Sequence, residues 1–510
     1  MLQIKKLTIT HRKDLRELLK DFDLTLIPGE KCAVIGEEGN GKSTLLKLIY
    51  DETLVDSYVE YTGQIHKKGL RLSYLPQELP PEDRLKPVME FMQECPAFWD
   101  QSPRELAALE GLLALPRNVF YSDRPMHTLS GGETVKIQLA WMLMERPDVL
   151  LLDEPSNDLD LETLEWLEGF LRDCPQAVLY ISHDETLLER TAEKVIHLEL
   201  VRRKTLPRWT VAKLPYQTYI EQRLRKLDHQ TQLARREQAD HQAKMEKFRQ
   251  IQAKVEHRQR TISRQDPHGG RLLKKKMHAV QSMGKRFERE KEQLTQLPDV
   301  EEAIFLRFSP QTAVPSGKVV LDLELPELTA ADRVLARNVR LHVEGPEKLC
   351  IIGRNGVGKT TLLKRIAEQL LPRKDLRAAY MPQNYADLLP MELTPVEFLN
   401  TGGSLEEATV IRNHLGSVRY TTLEMEHPIS EMSGGQKAKL LFIKLILDGA
   451  NVLILDEPTR NFSPLSNPVI RGILQDFPGC IISVSHDRKY MEEVCGKLYG
   501  FTAEGLERIW

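Results

Sequence analysis

Gly36, Glu37, Glu38, Gly39, Asn40, Gly41, Lys42, Ser43 and Thr44 follow the apolar run CAVI and lead into LLKLI. Far along the chain, Gly353, Arg354, Asn355, Gly356, Val357, Gly358, Lys359, Thr360 and Thr361 follow LCII and lead into LLKRI. Both stretches match GxxxxGK[ST]. Glycines at those positions let backbone N–H groups turn inward around phosphates. The lysine then reaches the β- and γ-phosphates of a nucleotide, and the hydroxyl of Ser43 or Thr360 ligates Mg²⁺. A helix that starts at the lysine adds the positive end of its dipole.

Each loop is followed by an apolar strand ending in two carboxylates, DVLLLDEP with Asp153 and Glu154 and NVLILDEP with Asp456 and Glu457. The aspartate at such a strand end is placed to hold Mg²⁺ through water. The glutamate is placed to orient or deprotonate an attacking water, so the chemistry is phosphoryl transfer to water. Around these lie Gln77 and Gln383 in Pro-Gln pairs, the triplets Ser130-Gly131-Gly132 and Ser433-Gly434-Gly435, and His183 and His486 in Ser-His-Asp. The serine of each triplet precedes the strand-end aspartate by 23 residues in both halves, and each glutamate precedes its histidine by 29. That register is an internal duplication. One segment breaks it: SNDLD at 156–160 has TRNFSPLSNP at 459–468 as its counterpart, without the aspartate.

The elements that must carry these residues are a buried strand, a Gly-rich turn and a helix in each half, which predicts an α/β fold with two nucleotide-binding domains. At 510 residues, 41% hydrophobic and 28% charged, the chain has the composition of a soluble globular protein of two or three domains. It has no apolar run of 18 residues and no signal-peptide core, which excludes a spanning helix and suits the cytoplasm. Its six cysteines form no CxxC pair, which argues against a zinc site or a disulfide framework.

Between the halves, residues 213–296 carry 21 Lys and Arg against 10 Asp and Glu, a net of +11 in a chain of −3. Leu227, Ala234, His241, Phe248 and Val255 fall seven apart, as do Leu273, Val280, Phe287 and Leu294, with Leu224 and Met245 on adjoining positions. That predicts two helices with one apolar seam each, an antiparallel hairpin turned at DPHGG by Pro267 and the glycine pair. The expected division is 1–212, 213–300 and 301–510. The region 257–278, with Arg264, Arg271, Lys274, Lys275 and Lys276, is a local one-signed charge that favours a phosphate-rich partner. It has no aromatic residue for base stacking.

The ordered motif set resembles the ATP-binding cassette superfamily. Two cassettes, no membrane domain and a basic helical linker are similar to the ABC-F family of translation factors, over essentially the whole chain. The resemblance implies two cassettes, each a P-loop sheet with a helical subdomain, that sandwich two ATP molecules head to tail with Mg²⁺. It further implies that Gln77 and Gln383 sense Mg²⁺ and water. The glycines and serine of each triplet would cap the γ-phosphate held by the opposite cassette, His183 and His486 would each contact a γ-phosphate, and His11 would stack on adenine. By the same resemblance a monomer closes on itself and docks in the ribosomal exit site, its linker reaching P-site tRNA and the rRNA of the peptidyl-transferase centre. The 459–468 loop resembles that of the group that protects ribosomes from lincosamides, streptogramin A and pleuromutilins. It should face the site built on Lys42 and make the two ATP sites unequal. A housekeeping translation factor, a transporter's ATPase subunit and a DNA-binding ATPase are the alternatives.

Overall fold

A computed structural model describes residues 1–261, 267–298, 300, 306–330, 333–400 and 402–510. It divides into two compact units. One joins Met1–Tyr216 with Glu301–Trp510, and the other is Gln217–Val300.

The first unit contains the same six-stranded sheet twice. In the first half the order is Leu72–Leu75, Val149–Asp153, Ala177–Ile181, Lys31–Ile35, Lys194–Leu200 and Leu206–Ala212. In the second half it is Ala378–Met381, Val452–Asp456, Cys480–Val484, Lys348–Ile352, Lys497–Thr502 and Gly505–Arg508. All neighbours are parallel except the last pair of each sheet. The central strands are buried from end to end, which is why they read as unbroken apolar runs.

An antiparallel sheet completes each half: Glu17–Leu26, Leu2–His11 and Val59–His66 in the first, Val319–Ala330 and Arg333–Glu344 in the second. The helix after each P-loop is held between the two sheets. Leu45, Leu46 and Ile49 of Lys42–Tyr50 share one core with Ile4, Phe22 and Leu151. Leu362, Leu363 and Ile366 of Lys359–Leu370 share another with Val320, Leu341 and Ile454. Burying each such side chain contributes about 1.5–3 kcal/mol. The P-loops thereby start from helices that are fixed on two sides.

The second unit is an antiparallel pair of helices, Tyr216–Thr261 and Pro267–Glu292. At 1.5 Å per residue they are about 69 and 39 Å long. The seam is narrow. Ala234, Val255, Val280 and Phe287 are buried, Phe287 meets Phe248 edge-on at 5.8 Å, and Gly284 gives Phe248 room. Leu224 is exposed and stands off the seam, and the side chain of Leu273 lies outside the description. The turn expected at DPHGG needs correcting. Pro267 to Gly270 form the first turn of the second helix, because proline loses no hydrogen bond at a helix's first position. Asp266 lies outside the described residues. Among those residues no helix is long and apolar enough to cross a membrane, and all six cysteines are free and buried.

Candidate functional site

In a parallel sheet, ligand-binding groups gather beyond the carboxyl ends of the strands. The first P-loop follows Lys31–Ile35, Asp153 ends Val149–Asp153, and His183 lies just past Ala177–Ile181. Those three strands are adjacent, so residues some 150 positions apart in sequence converge. The second half repeats this with Lys348–Ile352, Asp456 and His486. Glu154 and Glu457 both sit at φ 52, in the left-handed region that non-glycine residues rarely adopt. Each is locked there by a backbone bond to the neighbouring strand, Glu154 to Ile181 at 3.1 Å and Glu457 to Val484 at 2.9 Å. Backbone strain repeated at one position in both copies marks a site where the side chain's aim matters.

The P-loops form tight cradles. Lys42 Nζ donates to the Gly36 and Glu37 carbonyls at 2.8 and 3.0 Å, and Lys359 Nζ to those of Gly353 and Arg354 at 2.7 and 3.0 Å. Gly41 and Gly358 have φ of 83 and 103, and a Cβ on Gly36 would collide with the Leu198 carbonyl. Asn40 is buried and donates to that same carbonyl at 3.0 Å. Ser43 Oγ donates to Asp153 Oδ1 at 2.9 Å, and Tyr74 to Asp153 Oδ2 at 3.0 Å. Burial pushes the carboxyls of Asp153 and Asp456 up, against hydrogen bonds from Ser43 and Thr360. Asp456 Oδ2 is buried without a hydrogen-bond partner. A hydroxyl beside a carboxylate under a phosphate cradle is a hard oxygen set that fits Mg²⁺; Ser43 or Thr360 would hold the ion, with Asp153 or Asp456 behind.

Ser130 and Ser433 cap the helices Gly131–Met144 and Gly434–Leu447 through reciprocal bonds with Glu133 and Gln436. The glycines that follow leave amides at each helix start without a partner inside the helix. These helices belong to opposite cassettes from the P-loops they approach, and the two approaches differ.

At the second P-loop, a cavity of about 840 Å³ is lined by Lys359, Thr360, Thr361, Gln383, Asp456, Glu457 and His486 from one cassette and Ser130, Gly131 and Asp158 from the other. Asp158 accepts from Arg460 at 2.8 Å and Gln383 at 3.4 Å, and Arg354 pairs with Glu162 at 3.1 Å. Burial, with Asp456 adjacent, pushes the Glu457 carboxyl up to about 8. Burial and the charge of Lys359 hold His486 down at about 4. His486 Nε2 stands 3.8 Å from Glu457 Oε1.

At the first P-loop the corresponding groups are already committed. His183 faces the Phe462 carbonyl through Nδ1 at 2.7 Å and the Glu154 carboxylate through Nε2 at 2.8 Å. A carbonyl and a carboxylate on the two ring nitrogens both accept, an arrangement that favours the imidazolium. Burial alone would lower its pKa, but Glu154 outweighs this and raises it. Segment 459–468, which supplies Phe462, packs on this P-loop: Ser463 Oγ donates to Glu37 at 2.7 Å, Ser466 donates to the same oxygen, and Lys439 stands 3.4 Å from Glu37.

Other expected residues lie apart. Gln77 is exposed beyond the edge strand Leu72–Leu75. His11 bonds Asp14 at 2.9 Å and tilts against Tyr58. Arg271, Lys274, Lys275 and Lys276 are exposed on the second linker helix, and Arg264 lies outside the described residues. Sequence reasoning passed over Tyr74, although a tyrosine, Tyr74 or Tyr380, precedes each Pro-Gln pair by two positions.

The family model described as ABC transporter matches residues 19–157 and 336–460. The ribosome protection protein VmlR of Bacillus subtilis is 30% identical over 507 residues, covering 96% of this chain and 85% of that protein. The energy-dependent translational throttle protein EttA of Haemophilus influenzae is 28% identical, covering 96% and 90%. Among solved structures, the archaeal ribosome recycling factor aABCE1, in complex with the ribosomal stalk protein aP1, has a TM-score of 0.60 at 17% identity. It covers 99% of this chain and 89% of that one, a likeness of fold. Twin sheets, paired P-loops and these relatives together establish that the chain is an ATP-hydrolysing member of the ABC-F family of ATP-binding cassette proteins.

Proposed function

We propose that this chain is a cytoplasmic, monomeric, ATP-driven clamp on the ribosome. Its two cassettes close on two ATP molecules with Mg²⁺. The closed form docks in the exit site, and the linker acts on P-site tRNA and rRNA near the peptidyl-transferase centre to protect it from antibiotics. The observation that carries this is the basic two-helix linker that joins two complete cassettes in sequence, with Arg271, Lys274, Lys275 and Lys276 exposed on one helix. Such a surface binds phosphate backbones, and a transporter subunit has no use for it. The likeness to a ribosome protection protein and to a translational throttle protein supports the same partner.

Each residue has a role in that scheme. Lys42 and Lys359 neutralise phosphate charge, while Ser43 and Thr360 hold Mg²⁺ directly. Ser130 and Ser433, with the glycines after them, cap the γ-phosphate bound by the opposite cassette. Glu154 and Glu457 orient the attacking water. Most of the rate then comes from positioning and charge neutralisation.

The test is sedimentation of the Glu154→Gln/Glu457→Gln protein with purified ribosomes, with and without ATP. ATP-dependent co-sedimentation that is lost when residues 257–278 are deleted is the expected result. ATP binding without ribosome binding would end this reading. Inhibitory concentrations of a lincosamide, streptogramin A and a pleuromutilin in an expressing strain decide the protective role. Three unchanged values would leave a translation factor without a resistance function.

A further inference from the structure

The two P-loops differ most at the two positions after their first glycine, Glu37-Glu38 against Arg354-Asn355. Both glutamates of the first loop turn toward the opposite cassette. Glu38 Oε2 accepts from the Gly435 amide at 2.7 Å. The carboxylate lies against both signature glycines, so that a Cβ on Gly434 would come within 3.3 Å of Glu38 Oε1 and one on Gly435 within 3.5 Å of Oε2. Gly435 stands in the first turn of Gly434–Leu447, where amides have no partner within the helix and the dipole favours an anion. Glu37 is fixed beside it by Ser463, Ser466 and Lys439. Burial would push the Glu37 carboxyl up, but Lys439 and the two hydroxyls hold it down at about 2, so it is an anion.

The second site is arranged otherwise. Asn355 donates to the Asp158 carbonyl, and the nearest atoms to Gly131 and Gly132 belong to Asp158 and Thr163. Among the described residues, the atoms nearest a Cβ at Gly131 or Gly132 include none from the second P-loop, and the 840 Å³ cavity opens there instead.

We propose that the Glu38 carboxylate is a built-in competitor of the ATP γ-phosphate for the Gly435 amide, with Glu37 anchoring the loop that carries it. ATP at the first site has to displace Glu38 before the second cassette can cap its γ-phosphate. ADP has no γ-phosphate and meets no such competition. Glu38 is therefore a specificity-determining residue that weakens ATP relative to ADP at the first site alone. This rests on the reading of Lys42 as part of an ATP site.

The test uses the full chain with Lys359→Ala, which disables the second site, titrated with fluorescent ATP and ADP analogues in Mg²⁺. Glu38→Asn, the residue type of the second loop, is expected to tighten ATP about tenfold, the scale of one hydrogen bond to a charged group, and to leave ADP within about twofold. Glu38→Gln keeps the size, removes the charge and shifts ATP the same way. Unchanged ATP affinity in both variants, or equal tightening of ATP and ADP, overturns the competition. A Lys42→Ala/Lys359→Ala protein that still binds ATP as tightly as Lys359→Ala alone would remove the underlying ATP-site reading, and does so without reference to Glu38.

Discussion

Glu154 and Glu457 share a backbone conformation and differ in what surrounds their carboxyls. Burial raises the pKa of Glu457 from 4.5 to about 8, so the folded chain keeps a proton that the unfolded chain has released. Its contribution to stability therefore falls as pH rises between those values. Glu457→Gln removes that loss, and its melting temperature relative to the parent should climb from pH 5 to pH 8.5. Glu154→Gln acts the other way, because it strips the carboxylate from a buried imidazolium, at a cost of roughly 1–3 kcal/mol. The raised His183 pKa means this stabilisation is complete below 6.5 and lost as pH rises through the folded value, so the deficit is largest in acid. Thermal melts of both variants at pH 6 and 8.5 check this, and shifts of one sign in both would refute the asymmetry. The residue types at these positions were legible from motif spacing. Their environments were not, because the backbone carbonyl that faces His183 Nδ1 belongs to Phe462, 279 positions away.

Among the elements, the two signature triplets are also helix starts, since Ser-Gly-Gly-Glu and Ser-Gly-Gly-Gln each fit the capping box. The central strands were equally plain, being apolar throughout. Segment 459–468 was visible as a departure from the duplicate, and the structure gives it a consequence. Asp160 caps a helix of 13 residues, Leu161–Asp173, whereas the counterpart Asn467–Gln475 has nine and no side-chain cap. The linker's helical seam could be read from its seven-residue spacing, but Pro267 could not be told from a turn former, because proline suits both places. Phe287 is the seam's main contact, meeting Phe248 and His241 edge-on. Phe287→Ala should cost about 3 kcal/mol, the range of a buried Phe→Ala change. Limited proteolysis should then cut the linker faster, with ATP turnover in the absence of ribosomes unchanged. A digestion rate equal to that of the parent would mean the seam does not hold the hairpin.

Across the whole molecule, the cassettes also meet through segregated charge. The first contributes Glu168, Asp184, Glu185 and Glu189, and the second Arg471, Arg488 and Lys489. Arg471 is buried and donates to Glu185 at 2.5 Å and Glu493 at 2.7 Å. Arg471→Met leaves Glu185 buried with only Lys489 to offset it, and should destabilise by roughly 3–5 kcal/mol, while Arg471→Met/Glu185→Met should recover most of that. Melting temperatures of the two single variants and the double variant form the cycle that measures it; strict additivity would show that the pair is not coupled.

Glu37 and segment 459–468 have a consequence for descent and for engineering. The carboxylate that the second site keeps on the opposing loop, at Asp158, stands in the first site on the P-loop itself, facing serines. Either change alone is unfavourable: a glutamate opposite an aspartate sets two anions together, and serines opposite an Arg-Asn pair lose the carboxylate they hydrogen-bond. The two segments therefore form one heritable module split across hundreds of positions. A chimera that takes its amino-terminal cassette from one relative and its carboxyl-terminal cassette from another should close well when both parents carry the module or both lack it, and poorly when only one does.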